Sequence, residues 1–575
     1  MNKFFYAQFI CITLAVCLLG PLPLPLSVSG TEETSLASTP LMNGTILFAP
    51  MDTQTTYLID SSGEVLHTWA SDYLPGEAAY LLDDGTLLRT IKLSVQYGGD
   101  GGGVQRIDKD GSLLWQYQYY DDTNLSHHDI QALPNGDVLL IAWEKKTKDE
   151  AIAAGRNPNL IAGKIIMPDH IIEVKPTGPT SGEIVWEWHV WDHLIQDYDA
   201  SKANYGVVAD HPELIDINFG FTTTDWLHTN SIDYNPALDQ ILLSVHNFDE
   251  IWVIDHSTTT AEAAGHAGGR SGHGGDILYR WGNPQAYHAG TASDQQYFAQ
   301  HDATWVQPGC PGAGDILVFN NGGGRPGGSI TSVDEITPPV DANGTYYRAP
   351  NHAYGPEGLT WAYMTNFYAF YIGGATRLPN GDTLICNGPA GRFFEVTPQG
   401  ETVWEYVNTY PLPVANNVFN IQYIPPGGPG RYPDLDCIGS LSWTKVKPGE
   451  TLEGTFQVQN IGVAGSLLNW TINASSISWG TLTFSPESGE NLTPEAGPVA
   501  VHVTVVAPKE KKTDFEGYIH VENQNDPSDF DVVPISLATP APLMHQIMGL
   551  HHPFLHLLLW LLNGILTFRT LFIHQ

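Results

Sequence analysis

LPNGDVLLIA (residues 133–142) and LPNGDTLIC (378–386) read alike: a tight turn followed by a run of apolar residues. Asn-Gly at the turn allows the left-handed backbone of a hairpin, and β-branched or apolar residues on the far side read as a buried strand. Looser copies occur in LLDDGTLLRT (81–90), PALDQILLSV (236–245) and GAGDILVF (312–319). A companion unit is a strand, a polar turn and a strand ending in Trp, as in YLIDSSGEVLHTW (57–69), QRIDKDGSLLW (105–115) and FFEVTPQGETVW (393–404). The Trp endings fall at Trp69, Trp115, Trp186, Trp281, Trp361 and Trp404, roughly 40 to 95 residues apart. Six such units predict four-stranded blades with loop insertions, an all-β six-bladed β-propeller over residues 31–430. A two-sheet sandwich is the alternative for this region, and it leaves the repetition unexplained.

After the Pro/Gly linker IPPGGPGRYPDLD (424–436) the pattern changes. LEGTFQVQNIG (452–462), VAVHVTVVAP (499–508) and EGYIHVENQNDP (516–527) alternate at short intervals. They predict an immunoglobulin-like β-sandwich over 431–541, a spacer or attachment module. Residues 1–30 have a lysine near the start, an apolar run and small residues at the end, the pattern of a secretory signal peptide. That places the chain outside the cytoplasm, in secreted form or in the cell envelope. The apolar tail, 542–575, is interrupted by His556, Asn563 and Arg569 and is short for a spanning helix. Membrane association or cell-surface attachment and a packed C-terminal helix both stay open for it.

Acidic residues outnumber basic ones 62 to 25, for a formal charge of −37. Such a surface repels polyanions, so nucleic acid is not expected as a partner. Beyond the signal segment only Cys310, Cys386 and Cys437 remain, too few for a disulfide framework and without a CxxC spacing.

The chemistry lies in the histidines. His128 stands nine residues before Asp137 of the first LPNGD, and Gly373 nine before Asp382 of the second; Glu77 is close to the same place in the second blade. His228 in FTTTDWLHTNSIDY (221–234) and His301 in QHDATW (300–305) begin the same strand of the fourth and fifth blades. A propeller turns its inner strands toward one axis, so three blades are expected to offer imidazoles to one channel end. His246, in SVHNF, belongs near that end, as do Arg325 after FNNGGG and Arg392 after CNGPAG. Asn320 is a further substrate-binding candidate, and Thr229 and Asn230 are candidates to hydrogen-bond around His228. Imidazoles titrating near neutrality beside arginine suit proton or group transfer on an anionic substrate. Metal is the competing use of clustered histidines; no HxH or HExxH spacing supports it, and neither metal nor cofactor is expected. GHAGGRSGHGG (265–275) reads as a glycine-rich insertion loop with His266 and His273 in solvent. GDGGG (99–103) is no phosphate loop, because no Lys-Ser/Thr pair follows.

DWLHTNSIDYNP (225–236), LSVHNFDEIWVID (243–255), QHDATW and FNNGGGR (319–325), in that order, resemble the arylsulfate sulfotransferase family of secreted six-bladed propellers. The resemblance covers about residues 40–410. It implies ping-pong transfer of a sulfuryl group from a phenolic sulfate ester to a phenolic acceptor, through a sulfated histidine and without a nucleotide donor. It implies that His228, His301 and Arg325 hold the sulfuryl group. The family's nucleophilic histidine comes from the last blade, where this chain has CNGPAGRFFEV (386–396) with Arg392 and no histidine. That leaves His301 or His128 as nucleophile or base. The alternative function is a non-catalytic cell-surface propeller that binds an anionic ligand or glycan.

Overall fold

A computed structural model of the chain describes residues 44–96, 99–411, 416–425, 428, 433–462, 466–524 and 529–540. The signal segment and the apolar tail lie outside the described residues. No helix among the described residues is long and apolar enough to cross a membrane.

Each LPNGD turn does what its residues dictate. Gly136 (φ 88°) and Gly381 (φ 93°) take the left-handed position, and each donates its N–H to the leucine that opens the turn, 2.9 Å away. The Asn side chain accepts from the Asp N–H at 2.9 Å, so the turn closes on its own polar groups. The turns join the first and second strands of four-stranded groups. Six such groups follow one another, their inner strands being Val418–Ile424, Pro75–Leu81, Asn124–Ala132, Thr229–Asn235, His301–Trp305 and Gly374–Arg377. The first group mixes the two ends of this region: Val418–Ile424 pairs antiparallel with Thr45–Pro50 and closes the ring. The second and third groups are continuous through one pairing, Gly101 with His127. This is the expected six-bladed propeller.

The six tryptophans show why the ring holds. All lie in outermost strands, and each indole N–H reaches the next blade. Trp69 donates to the Asp108 carbonyl, Trp115 to Ser181, Trp186 to the Thr258 hydroxyl, Trp281 to Pro356, Trp361 to Pro398 and Trp404 to Ser61, over 2.7–3.1 Å. The last of these returns from blade 6 to blade 1. Five of the six side chains are buried, which contributes about 3 kcal/mol each by area. Nearer the axis, carboxylates staple neighbouring inner strands. Asp129 accepts from the Ile232 N–H at 3.1 Å, Asp233 from Trp305 at 2.7 Å and Asp302 from Ala375 at 2.8 Å.

Residues 435–538 form two further sheets. Thr481–Ser485, Val499–Val506, Thr451–Asn460 and Leu435–Ile438 make one; Leu441–Trp443, Phe530–Ala538, Asp514–Asn523, Leu468–Asn473 and Ser488–Leu492 make the other. Alternate residues, among them Phe456, Val458, Trp470, Val501 and Ile519, face inward into a common core. This is a β-sandwich. Cys310, Cys386 and Cys437 are free.

Candidate active site

Where the inner strands of blades 3, 4 and 5 start, the ladder breaks register: between Ser126 and Ile130, Thr229 and Ser231, and His301 and Thr304. Such bulges re-aim side chains that simple alternation would point elsewhere. His128 (φ 56°) and His228 (φ 55°) sit in the left-handed region, as do Glu77, Asp302 and Gly373 at the matching places. The same corner thus recurs around the axis. In blade 5 it falls on Asp302, one residue after His301. Non-glycine residues held in this conformation are strained and gather at functional sites.

The corners bring four imidazoles into a row. Ring centroids are 4.5 Å apart for His128 and His228, 5.0 Å for His228 and His246, and 5.3 Å for His246 and His301, each pair edge to face. A fifth, His127, lies behind His128 with its Nδ1 2.5 Å from the His128 Nδ1, and stacks on Trp143 at 3.7 Å. The glycines of GDGGG make room for this wall. A Cβ on Gly99 would come within 2.5 Å of the His128 ring, and one on Gly101 within 2.1 Å of the Ser126 carbonyl.

The rings differ in protonation. Burial disfavours the charged form of His228, yet Asp225, bonded directly to its Nδ1 and aided by Asp169, holds its pKa above the ordinary value. Asp225 is itself fixed by the Trp143 indole N–H at 3.1 Å. Burial, followed by the charge of His228, keeps His246 and His128 well below the ordinary value. His246 has its tautomer set by Nδ1–H donating to the Asn247 side-chain Oδ1 at 2.8 Å. Its Nε2 has no hydrogen-bond partner among the described residues, and the residue is partly exposed. His301 is different. Its Nδ1 meets the Asn321 side-chain Oδ1 at 2.8 Å, its Nε2 accepts from the Ile372 N–H at 3.3 Å, and burial pushes its pKa down to about 4. His128 is 2% exposed and His301 3%, whereas the His228 side chain is 16% exposed. A ligand arriving from solvent therefore meets His228 and His246 first.

The remaining candidates fall elsewhere. Arg325 is half-buried on the same rim, held by Ser332 Oγ at 2.8 Å and lying over Phe298, three residues before His301. Arg392 forms a two-pronged pair with Glu405 at 2.8 and 3.0 Å on the outer strands, away from the axis. Asn320 spends its amide on Phe298, Gln296 and Asp334. Asn230 bonds the Gln300 carbonyl between blades, and the Thr229 N–H bonds Asp169. Asn321, not Asn320, reaches the histidines, and it also ties down the carbonyls of Ala369 and Ile372. That segment presents Tyr368 and Phe370, 43% and 64% exposed. His127, Asp225, Asn247 and Asn321 were not singled out from the sequence. Asp225 stood in the quoted DWLH stretch, but its bond to His228 depends on the loop's fold. At the opposite mouth, among the LPNGD turns, a cavity of about 760 Å³ is lined by Tyr80, Asp129, Asp233, Asp302 and Asn420, and by none of the five histidines.

A family model described as Arylsulfotransferase (ASST) matches residues 32–418, two-thirds of the sequence. The chain belongs to the arylsulfotransferase family, and arylsulfotransferase-like activity is its general assignment. Comparison with curated proteins finds no match. Among solved structures it is similar to a protein of unknown function from Bacteroides caccae, at 12% identity and TM-score 0.37, covering 66% of this chain and 99% of that one. A putative 6-phosphogluconolactonase from Bacteroides uniformis matches at 11% identity and TM-score 0.34, covering 66% and 85%. Virginiamycin B lyase from Staphylococcus aureus matches at 11% and 0.28, covering 64% and 86%. Likenesses this distant carry no argument about chemistry here.

Proposed function

We propose that the axial histidines move a sulfuryl group from a phenolic sulfate ester to a phenol in two half-reactions, with His246 as the nucleophile. The carrying observation is that two adjacent, partly exposed rings have different Nδ1 partners, a carboxylate on His228 and an amide oxygen on His246. His246 is neutral with Nε2 open, and His228, 5.0 Å away, is held toward its cationic form by Asp225. In the first half-reaction His246 Nε2 attacks sulfur and the S–O(aryl) bond breaks. The electron pair stays on the phenolate oxygen, which takes a proton from His228. In the second, the acceptor phenol gives its proton to His228 and its oxygen attacks sulfur. The N–S bond breaks and its electron pair returns to His246.

His228 and His301 were implied as sulfuryl-holding groups. His228 suits that role as a cation, and His301, with both nitrogens engaged, supports the His246 ring instead. Arg325 draws the ester anion to the rim. Tyr368 and Phe370 offer aryl faces beside it. The setting outside the cytoplasm rests on residues 1–30 alone.

Phenol-dependent release of nitrophenolate from 4-nitrophenyl sulfate tests the proposal. The full chain should turn over, and His246→Ala should lose at least about 10³-fold in kcat. No release by folded protein would favour an anion-binding propeller, and unchanged turnover in His246→Ala would remove its assigned role.

A further inference from the structure

The glycine-rich loop at 265–275 lies away from the axial site, and its own sequence gives it little to fold around. From 264 to 273 no residue is buried. The loop is nevertheless drawn back on itself, with Gly274 N–H on the Gly268 carbonyl and Gly275 N–H on Gly265, both at 3.0 Å. This places His266 and Asp276 against His193, which follows the outermost strand of blade 3, Ser181–His189. One ligand-capable atom from each of the three lies within 4.8 Å of the others.

Polar groups converge on the His193 ring from both sides. Its Nε2 faces the Ala263 carbonyl at 2.8 Å, and a carbonyl only accepts. Its Nδ1 faces Asp276 Oδ1 at 2.9 Å, and the His266 Nδ1 faces the same oxygen at 2.7 Å. With Nε2 turned to the carbonyl, the His193 Nδ1 faces the Asp276 carboxylate, which the His266 ring meets as well. A cation held among the three would meet two imidazole nitrogens and one carboxylate oxygen. Fixing the far imidazole nitrogen with a carbonyl is the usual support of a metal-binding histidine. The ring is further held by stacking on Trp188 at 5.7 Å, and Gly275 leaves space that a Cβ would take from it.

We propose that His193, His266 and Asp276 bind one divalent transition-metal ion, zinc in type, which clasps this loop to blade 3. Two imidazoles and a carboxylate favour zinc over calcium or magnesium, which prefer oxygen donors. Donor atoms around tetrahedral zinc stand about 3.3 Å apart, given bonds of about 2.0–2.1 Å. The two spacings to Asp276, 2.9 and 2.7 Å, need only a small opening, and His266, with 61% of its side chain exposed, has the freedom to move. A neighbouring pocket of about 530 Å³ is lined by Trp191, His211 and His266. Spacing alone gave no reason to expect this site, because its ligands come from separate stretches.

The test uses the full chain stripped with chelator and titrated with Zn²⁺ or Co²⁺ alone, with bound metal counted and the Co²⁺ visible spectrum recorded. One equivalent is expected, with an intense tetrahedral Co²⁺ band. His266→Ala, which alters an exposed side chain and spares the fold, should weaken binding at least about 100-fold, as should Asp276→Asn. His228→Ala and His246→Ala should bind as the parent does. The proposal is overturned by an absence of stoichiometric binding, by unchanged affinity in His266→Ala, or by binding that is lost with the axial histidines instead.

Discussion

At the scale of the residue, division of labour among the histidines follows from what touches each ring. A carboxylate on Nδ1 makes His228 an acid; an amide on Nδ1 leaves His246 a neutral base. Donor kcat/KM should therefore be bell-shaped. It falls at low pH as His246 takes a proton below the ordinary value of about 6.5, and at high pH as His228 loses one above it. In Asp225→Asn the alkaline limb should move to lower pH. An unchanged limb would show that His228 does not set it. His228→Ala should slow phenyl sulfate more than 4-nitrophenyl sulfate, because the poorer leaving group depends more on its proton. Comparing the two donors in one assay measures this directly. His128, His228 and His301 were legible because each lies at the start of an inner strand at a repeated position, and His246 because it follows the second strand of blade 4 at the same end. Their partners were not: Asp225, Asn247 and Asn321 sit in loops or at strand ends, where direction depends on bulges and neighbouring blades.

At the scale of the element, the inner strands are joined by carboxylates, Asp129 and Asp233 buried and Asp302 partly so. Burial pushes Asp302 and Asp129 up to about 7 and Asp233 to about 6. An unfolded Asp titrates near 3.9. Between those values the folded chain keeps a proton that the unfolded chain has released, so stability falls as pH rises from about 4 to about 7. Thermal melts across this range should show the decline, and Asp302→Asn should flatten it. A steeper decline in that variant would contradict the raised pKa. The turns and strands themselves were readable, since Asn-Gly with a following Asp closes a hairpin from local groups alone. The carboxylate staples were not, because they join strands about 70 or more residues apart.

At the scale of the whole molecule, closure is cyclic. The repetition of Trp endings announced six blades, and the structure adds that every indole reaches the next blade and the last returns to the first. Trp404→Phe retains most of the packing and leaves the Ser61 carbonyl without its indole donor. It should cost about 1–2 kcal/mol in denaturant titration. Values near zero would show that the N–H contributes little to closure. The net charge of −37 also burdens the folded chain with self-repulsion, so raising NaCl from low to near-molar concentration should raise Tm through screening. A Tm independent of salt would show that the charges are dispersed enough not to matter.

The central claim is that a sulfuryl group rests on His246 between donor and acceptor. The most direct measurement is rapid mixing of the full chain with 4-nitrophenyl sulfate in the absence of acceptor, followed by alkaline quench and peptide mass mapping. The account predicts a burst of about one nitrophenolate per chain, one added sulfuryl group on the peptide containing His246, and its loss when phenol is added. Turnover without any burst or labelled peptide, or a label on His128 or His301 instead, would contradict it.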